Sequence, residues 1–450
     1  MRKQFIAICT VALCTSSFAQ LSPAITSWLQ NTTAKGTFYS SGNSNVQQMT
    51  GANDFVNCQK IEYSSDFVYV HTRGIPAYPT GPFDGDGNPS VTEDQDAIYK
   101  FPLNPTQNTG TPQATVMGNI GVFINGVALY DYRDGVAWDN SSSSLCGGPG
   151  NPPCPGGPMA TMDWNRDAIP AEKPGFDCSK GHPAMGAYHH HQNPSAFKLD
   201  LEVVSTICNL YDADGLYAID STKHAPLLGF AYDGFPIYGA YAYKNTDGTG
   251  GIARMKSSYH LNANATTRTN GPDVNATYFN GYFREDYSYT ENTASDYLDE
   301  HNGRFCVTPE YPNGTYAYFM TVDENWNSAY PYAVGPTFYG VFENRLVTSV
   351  SESTTTYEDA SAGISQLDQS QVTIFPNPAS NLIAIQVKGL VQHSIELTLF
   401  DVTGKKVMSQ QIKAGQTISY FDTQTLYEGT YLLELSDGKT VKTERIVIQR

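Results

Sequence analysis

Nine histidines occur in the 450-residue chain, and four of them, His182, His189, His190 and His191, fall within ten positions in the segment CSKGHPAMGAYHHHQNP. Neutral imidazole is a borderline-soft nitrogen donor suited to Zn, Cu, Fe or Ni. If Tyr188–His191 is extended, its side chains alternate between faces, which places His189 and His191 on one side, roughly 6–7 Å apart. Two rings at that spacing can converge on one ion. A third ligand would come from His182, Asp233, His301 or a carboxylate such as Asp299 or Glu300, and three ligands with an open position make a reactive site. Asp233 is also a candidate to accept an imidazole N–H and fix its tautomer. Met185, between the histidines, would add a thioether and shift preference toward copper, although a Met in an aromatic domain more often packs. His190 falls on the opposite face and is expected to be solvent-exposed. The competing reading is structural: histidines hydrogen-bonded across a tyrosine-rich sheet.

Other motifs carry less. Phe83–Ser90 (FDGDGNPS) offers Asp84, Asp86 and Asn88 at calcium-loop spacing, but Pro89 and Gln95 stand where such a loop needs Gly and Glu. A plain turn is expected there, as at Asp233-Gly234. No GxSxG elbow, GxGxxG or phosphate loop is present, and no CxxC pair supports a Zn(Cys)4 site.

The elements that must position these residues are short strands. Only 16% of residues are charged, while 30 Tyr, 39 Gly and 26 Pro favour turns and strands over long helices. Gly121–Tyr130 (GVFINGVALY) and LLGFAYDGFPIY, ending at Tyr238, are apolar runs broken by Asn-Gly and Asp-Gly, which predicts two hairpins. A short helix is expected around Pro194–Leu201. No internal repeat is evident. With 44 acidic against 27 basic side chains, the net charge of -17 argues against nucleic acid or an anionic membrane as partner.

Arg2 and Lys3 precede an apolar run, Phe5–Cys14, and the small residues Ser17 and Ala19, so residues 1–19 read as a secretory signal and the mature chain begins near Gln20. No stretch approaches transmembrane length. Of eight cysteines, Cys9 and Cys14 leave with the signal. Cys58, Cys146, Cys154, Cys178, Cys208 and Cys306 remain, an even number that favours disulfides in an exported chain. Cys146 and Cys154 flank a flexible loop that a local bridge would close. A mainly β domain with long loops and few short helices is expected over residues 20–348. A Ser/Thr-rich linker follows over 349–370. Residues 371–450 then carry short β runs between turns, which suggests a small β-sandwich, with eight basic against seven acidic residues.

Two resemblances sharpen this reading. The phrases FPNPASNLIAIQV, LTLFDVTGKKV and LYEGTYLLELSDGKTVKTERIVIQR, ending at the chain terminus, resemble the type A C-terminal sorting domain of the type IX secretion system in Bacteroidetes. That implies an immunoglobulin-like sandwich read by the secretion machinery at the outer membrane, with the passenger released or attached to the cell surface. A generic β accessory or carbohydrate-binding domain is the alternative. The large unit is similar to the YHYH-domain proteins, a bacterial family named for a Tyr-His-Tyr-His motif. The similarity lies in MGNIGVFINGVALYDYRDG from Met117, GHPAMGAYHHHQNP from Gly181, LLGFAYDGFPIYG from Leu227 and YLDEHNGRFCVTPEYPNGTYAYFMT from Tyr297. The motif's first Tyr and both histidines match Tyr188, His189 and His191, while its second Tyr is His190 here. Some relatives repeat the motif downstream, where this chain has Tyr316, Ala317, Tyr318 and Phe319, so no ligand is expected from that strand. The resemblance implies membership and no particular activity.

Three functions follow as expectations. The first is an exported protein binding Cu or Zn through His182, His189 and His191, with Asp233 and His301 as further candidates. The second is a metal-dependent hydrolase or oxidoreductase at the same residues, with Asp299 or Glu300 as an acid. The third is a metal-free glycan- or protein-binding module using Trp138, Trp164 and Trp326.

Overall fold

The computed structural model describes residues 21–40, 45–83, 90–148, 150–156, 162–195, 217–263, 266–342, 346–357, 372–387, 394–413, 416, 418–436 and 441–450. The expected signal segment, the calcium-like loop at 84–89, Cys208 and all but the first two residues of the helix expected over Pro194–Leu201 lie outside them. The chain divides into two compact units, Met1–Tyr357 and Glu358–Arg450.

The large unit centres on an eight-stranded sheet. In chain order its strands are β1 (Asn119–Phe123), β2 (Ala128–Tyr130), β3 (Gly181–Ala184), β4 (Ala187–His190), β5 (Leu227–Ala231), β6 (Pro236–Tyr238), β7 (Gly303–Cys306) and β8 (Thr315–Phe319). Across the sheet they run β3-β4-β2-β1-β5-β6-β8-β7. The Asn-Gly and Asp-Gly segments close the two expected hairpins, β1–β2 and β5–β6.

The order reads the same from either edge, and the registers follow it. At the centre β1 and β5 are antiparallel with Val122 opposite Phe230. Each inner hairpin is irregular at the same place, between Asn119 and Gly121 in one and between Leu227 and Gly229 in the other. Each then pairs in parallel with an outer hairpin, Leu129 beside His190 and Ile237 beside Tyr318. The backbone is therefore a four-strand unit used twice about a local two-fold axis, a repeat the sequence reading did not find.

A second, five-stranded sheet is ordered Leu346–Val347, Ala97–Pro102, Phe67–Thr72, Cys58–Tyr63 and Thr355–Tyr357. Its inward residues Ile61, Val68, Val70 and Phe101 join Val122, Leu129, Phe230 and Ile237 in one core, with Trp28 packed against both Phe101 and Phe230. Thr355–Tyr357 lies inside the segment expected to be linker. Its Thr and Tyr side chains suit an edge strand, and it hydrogen-bonds to Ile61–Tyr63.

The small unit forms a three-stranded and a four-stranded sheet around its own core, as expected of a β-sandwich. Along Gly429–Ser436, Tyr431, Leu433 and Leu435 are buried while Leu432 and Glu434 are not, the period-two pattern of a half-solvated strand. The cysteine expectation holds in part. Cys146–Cys154 is a disulfide and Cys178 is disulfide-bonded, but Cys58 and Cys306 are buried free thiols. Cys58 instead directs its Sγ at the Ile124 carbonyl, 3.6 Å away.

Candidate metal centre

The outer hairpin β3–β4 builds the site. Its entry is an aspartate turn in which Asp177 Oδ1 accepts the amides of Ser179 (2.9 Å) and Gly181 (3.1 Å), and the Tyr188 hydroxyl donates to the same carboxylate. A Cβ at Gly181 would lie 2.4 Å from the Tyr188 hydroxyl, so only glycine lets the tyrosine reach the turn. The hairpin closes through Met185 and Gly186, both at positive φ. That turn leaves Met185 95% exposed at the tip, which removes the thioether from the donor set.

Within the hairpin His182 sits directly opposite His189, and His191 follows two residues on along the same face. All three are buried, and their ligand atoms lie within 4.8 Å of one another. His189 Nε2 and His191 Nε2 are 3.1 Å apart. The opposite ring nitrogens are already engaged: His189 Nδ1 bonds to the Ala187 carbonyl (2.9 Å) and His191 Nδ1 to that of Asp131 (2.5 Å). A carbonyl can only accept, so both rings carry a proton on Nδ1 and face the centre with Nε2. Tyr130 stacks on His189 at 3.8 Å and Phe176 meets His182 edge-on, fixing the rings.

A residue missed in the sequence lies against the cluster. Asp167 caps the short helix α1 (Ala168–Glu172), accepting the Ile169 amide at 2.9 Å, and the last residue of that helix, Glu172, faces the histidines. Its Oε2 is 3.2 Å from His182 Nε2 and 3.1 Å from His191 Nε2. Donors 2.0–2.1 Å from a tetrahedral zinc sit about 3.3 Å apart, and the separations of Glu172 from His182 and His191 and of His189 from His191 are near that value. Burial works to raise the Glu172 carboxyl, but the rings of His191 and His182 hold it below the usual carboxylate range. Burial, then the His182 and His191 rings beside it, push His189 well below the ordinary imidazole range. Three imidazole nitrogens and a carboxylate grouped in this way are donors of the type that a divalent cation takes. An Asp cap before a helix-forming run was the only sequence signal for Glu172, and it does not give a direction.

The remaining sequence candidates lie elsewhere. Asp233 accepts the Tyr318 hydroxyl (2.5 Å) and the Gly340 amide (2.8 Å), so it supports β8 and not a histidine tautomer. His301 Nδ1 bonds to Thr337 Oγ1 at 2.6 Å. Asp299 makes a turn like that of Asp177, accepting the His301 and Gly303 amides and the Tyr316 hydroxyl, and Glu300 lies beside His301 and is mostly exposed. Asp233 and Asp299 are thus spent on backbone and tyrosine partners, and His301 on Thr337. His190 is buried, not exposed, because its side of the sheet is covered. Its Nδ1 bonds to the Lys180 carbonyl and its Nε2 to the Tyr78 hydroxyl, and burial pushes its pKa down to about 3. Of the three tryptophans one is buried and Trp164 and Trp326 are half-buried. Trp138 is buried against Tyr278, and the indole N–H groups of Trp164 and Trp326 bond to Thr269 and Tyr241.

Over residues 98–331 the chain matches the family described as YHYH protein, and over residues 373–449 it matches the secretion system C-terminal sorting domain. None of the curated proteins matches it. The sorting domain is that of the type IX route, which makes this an exported chain, secreted or placed at the cell surface. Among the described residues no helix is long and apolar enough to cross a membrane.

Proposed function

The chain belongs to the YHYH protein family, and from that premise we propose that its large unit binds a divalent transition metal outside the cytoplasm. The ligands are Nε2 of His182, His189 and His191 with Oε2 of Glu172. One observation carries the reading: the Nε2 atoms of His189 and His191 face each other 3.1 Å apart, with the Glu172 carboxylate 3.1 Å from the second. Nitrogen and carboxylate donors without a thiolate or thioether suit Zn(II) or Cu(II) and give Cu(I) no soft ligand. Export proceeds in two stages in this reading. The first nineteen residues take the chain to the periplasm, and the sorting domain then delivers it through the type IX machinery for release or attachment at the outer-membrane surface.

The test is elemental analysis by plasma mass spectrometry on the chain purified without a histidine tag, beside a His189→Ala/His191→Ala double variant. Near-stoichiometric Zn or Cu that disappears in the variant is the expected result. A wild type that stays metal-free after challenge with both ions would refute the proposal.

A further inference from the structure

The two outer hairpins of the sheet are built to one plan down to single atoms. In β7–β8 the turn carboxylate is Asp299, whose Oδ1 accepts the His301 amide at 2.9 Å and the Gly303 amide at 3.1 Å, the same distances that Asp177 shows to Ser179 and Gly181. Tyr316 donates to Asp299 as Tyr188 does to Asp177, and a Cβ at Gly303 would lie 2.4 Å from that hydroxyl, as at Gly181. Lys180 and Asn302, the residues before the two glycines, both have positive φ, 63° and 65°. The correspondence is therefore unambiguous. His182 maps to Arg304, His189 to Ala317, His190 to Tyr318 and His191 to Phe319.

Arg304 stands opposite Ala317 just as His182 stands opposite His189. Its side chain is buried and its guanidinium lies over Phe319, 5.6 Å from the ring centre, at the position of His191. The alanine leaves room for it. It donates to the carbonyls of Tyr243, Lys244 and Ser295. Ser295 lies four residues before the Asp299 turn, and Glu172 lies five before the Asp177 turn. In both halves, then, the same point on the hairpin faces oxygen atoms of the chain leading into the aspartate turn, and a positive charge placed there ties the two together. One half supplies that charge from its own side chain.

We infer that both halves of the sheet hold a cation at this equivalent position, Arg304's guanidinium in one and a metal closed by four protein ligands in the other. The metal is accordingly a structural tie with no position left for a substrate. This inference rests on the metal-binding reading of the first half and assigns the role of that ion. A reactive centre would keep an exchangeable fourth position, whereas in this inference Glu172, 3.1–3.2 Å from His191 and His182, takes it.

The test uses the full chain loaded with Co(II), whose visible bands report coordination number, titrated with azide. We expect intense four-coordinate bands that azide leaves unchanged in the wild type and shifts in Glu172→Ala, where the fourth position opens. Thermal unfolding gives a second readout. Metal should raise the wild-type Tm and leave that of His189→Ala/His191→Ala where it is, and Arg304→Met should lower the Tm by a shift comparable to metal removal. Azide-sensitive bands in the wild type, or a Tm indifferent to metal, would overturn the structural role while leaving metal binding intact. Failure of Co(II) to bind would remove the metal reading and this inference together. The azide arm on the wild type stands even where Arg304→Met does not fold.

Discussion

The two units bury their strands differently, and the difference decides how each can be read and broken. In the small unit the strands have one wet face, so burial alternates residue by residue, as along Gly429–Ser436. In the large unit β5 is buried at every position, and its residues share one core with those of the five-stranded sheet. A strand of the first kind tolerates change at every second residue. One of the second kind tolerates it nowhere, and it must also satisfy polar groups carried inward with it, such as Asp177, Asp233 and the histidines.

Substitutions can sharpen this contrast. Gly229→Ala in β5 should have the largest effect, because its Cβ would stand 2.3 Å from the Val122 carbonyl oxygen and 2.9 Å from the Phe123 Cα. Backbone cannot step aside cheaply, so a loss of roughly 3 kcal/mol or more is expected for the large unit, read as a shift of its denaturant midpoint. In the small unit Leu433→Ala removes a fully buried side chain and should cost about 2–5 kcal/mol, with the large unit's midpoint unmoved. If both units shift together, they do not unfold separately.

The third effect is pH-dependent. Burial raises the Asp233 carboxyl to about 6, against the pull of Tyr318 and the Gly340 and Phe235 amides. Its folded value lies above its unfolded one, so its contribution is fully present below about pH 4 and is lost as pH rises through about 6. Asp177 is also raised to about 6 and adds a parallel slope, so the informative quantity is the difference between wild type and Asp233→Asn. That difference should amount to on the order of 2 kcal/mol between pH 4 and 7, and identical slopes would contradict it. Asparagine already occupies the matching turn of the other half, where Asn125 accepts the Val127 amide at 3.2 Å. The smallest effect belongs to Leu432→Ala, one residue from Leu433 but on the wet face, at about 0.5 kcal/mol or less. A cost matching that of Leu433→Ala would mean that this face is covered.

The same contrast explains what the sequence made legible. The strands of the small unit, the Asn-Gly and Asp-Gly hairpins, the Cys146–Cys154 bridge and the shared face of His189 and His191 follow from local chemistry and were readable. The two-fold repeat left a trace, since Gly121, Asn125, Gly126, Leu129 and Tyr130 recur in spacing as Gly229, Asp233, Gly234, Ile237 and Tyr238. It was obscured because Met185 and Gly186 close one outer hairpin in two residues while residues 307–314 separate the strands of the other. Glu172 was out of reach for a different reason. It meets the histidines through tertiary packing, and no spacing along the chain encodes that.

Two buried thiols among the described residues give the molecule a clock. Burial raises the pKa of both Cys58 and Cys306, Cys58 far above the ordinary thiol value, so in the folded chain neither presents a thiolate to an alkylating reagent. Labelling must wait for the surrounding structure to open. Cys58 lies in the five-stranded sheet and Cys306 at the end of β7, so the rates at which a maleimide captures them would time the opening of two sheets separately, within one chain and without an added probe.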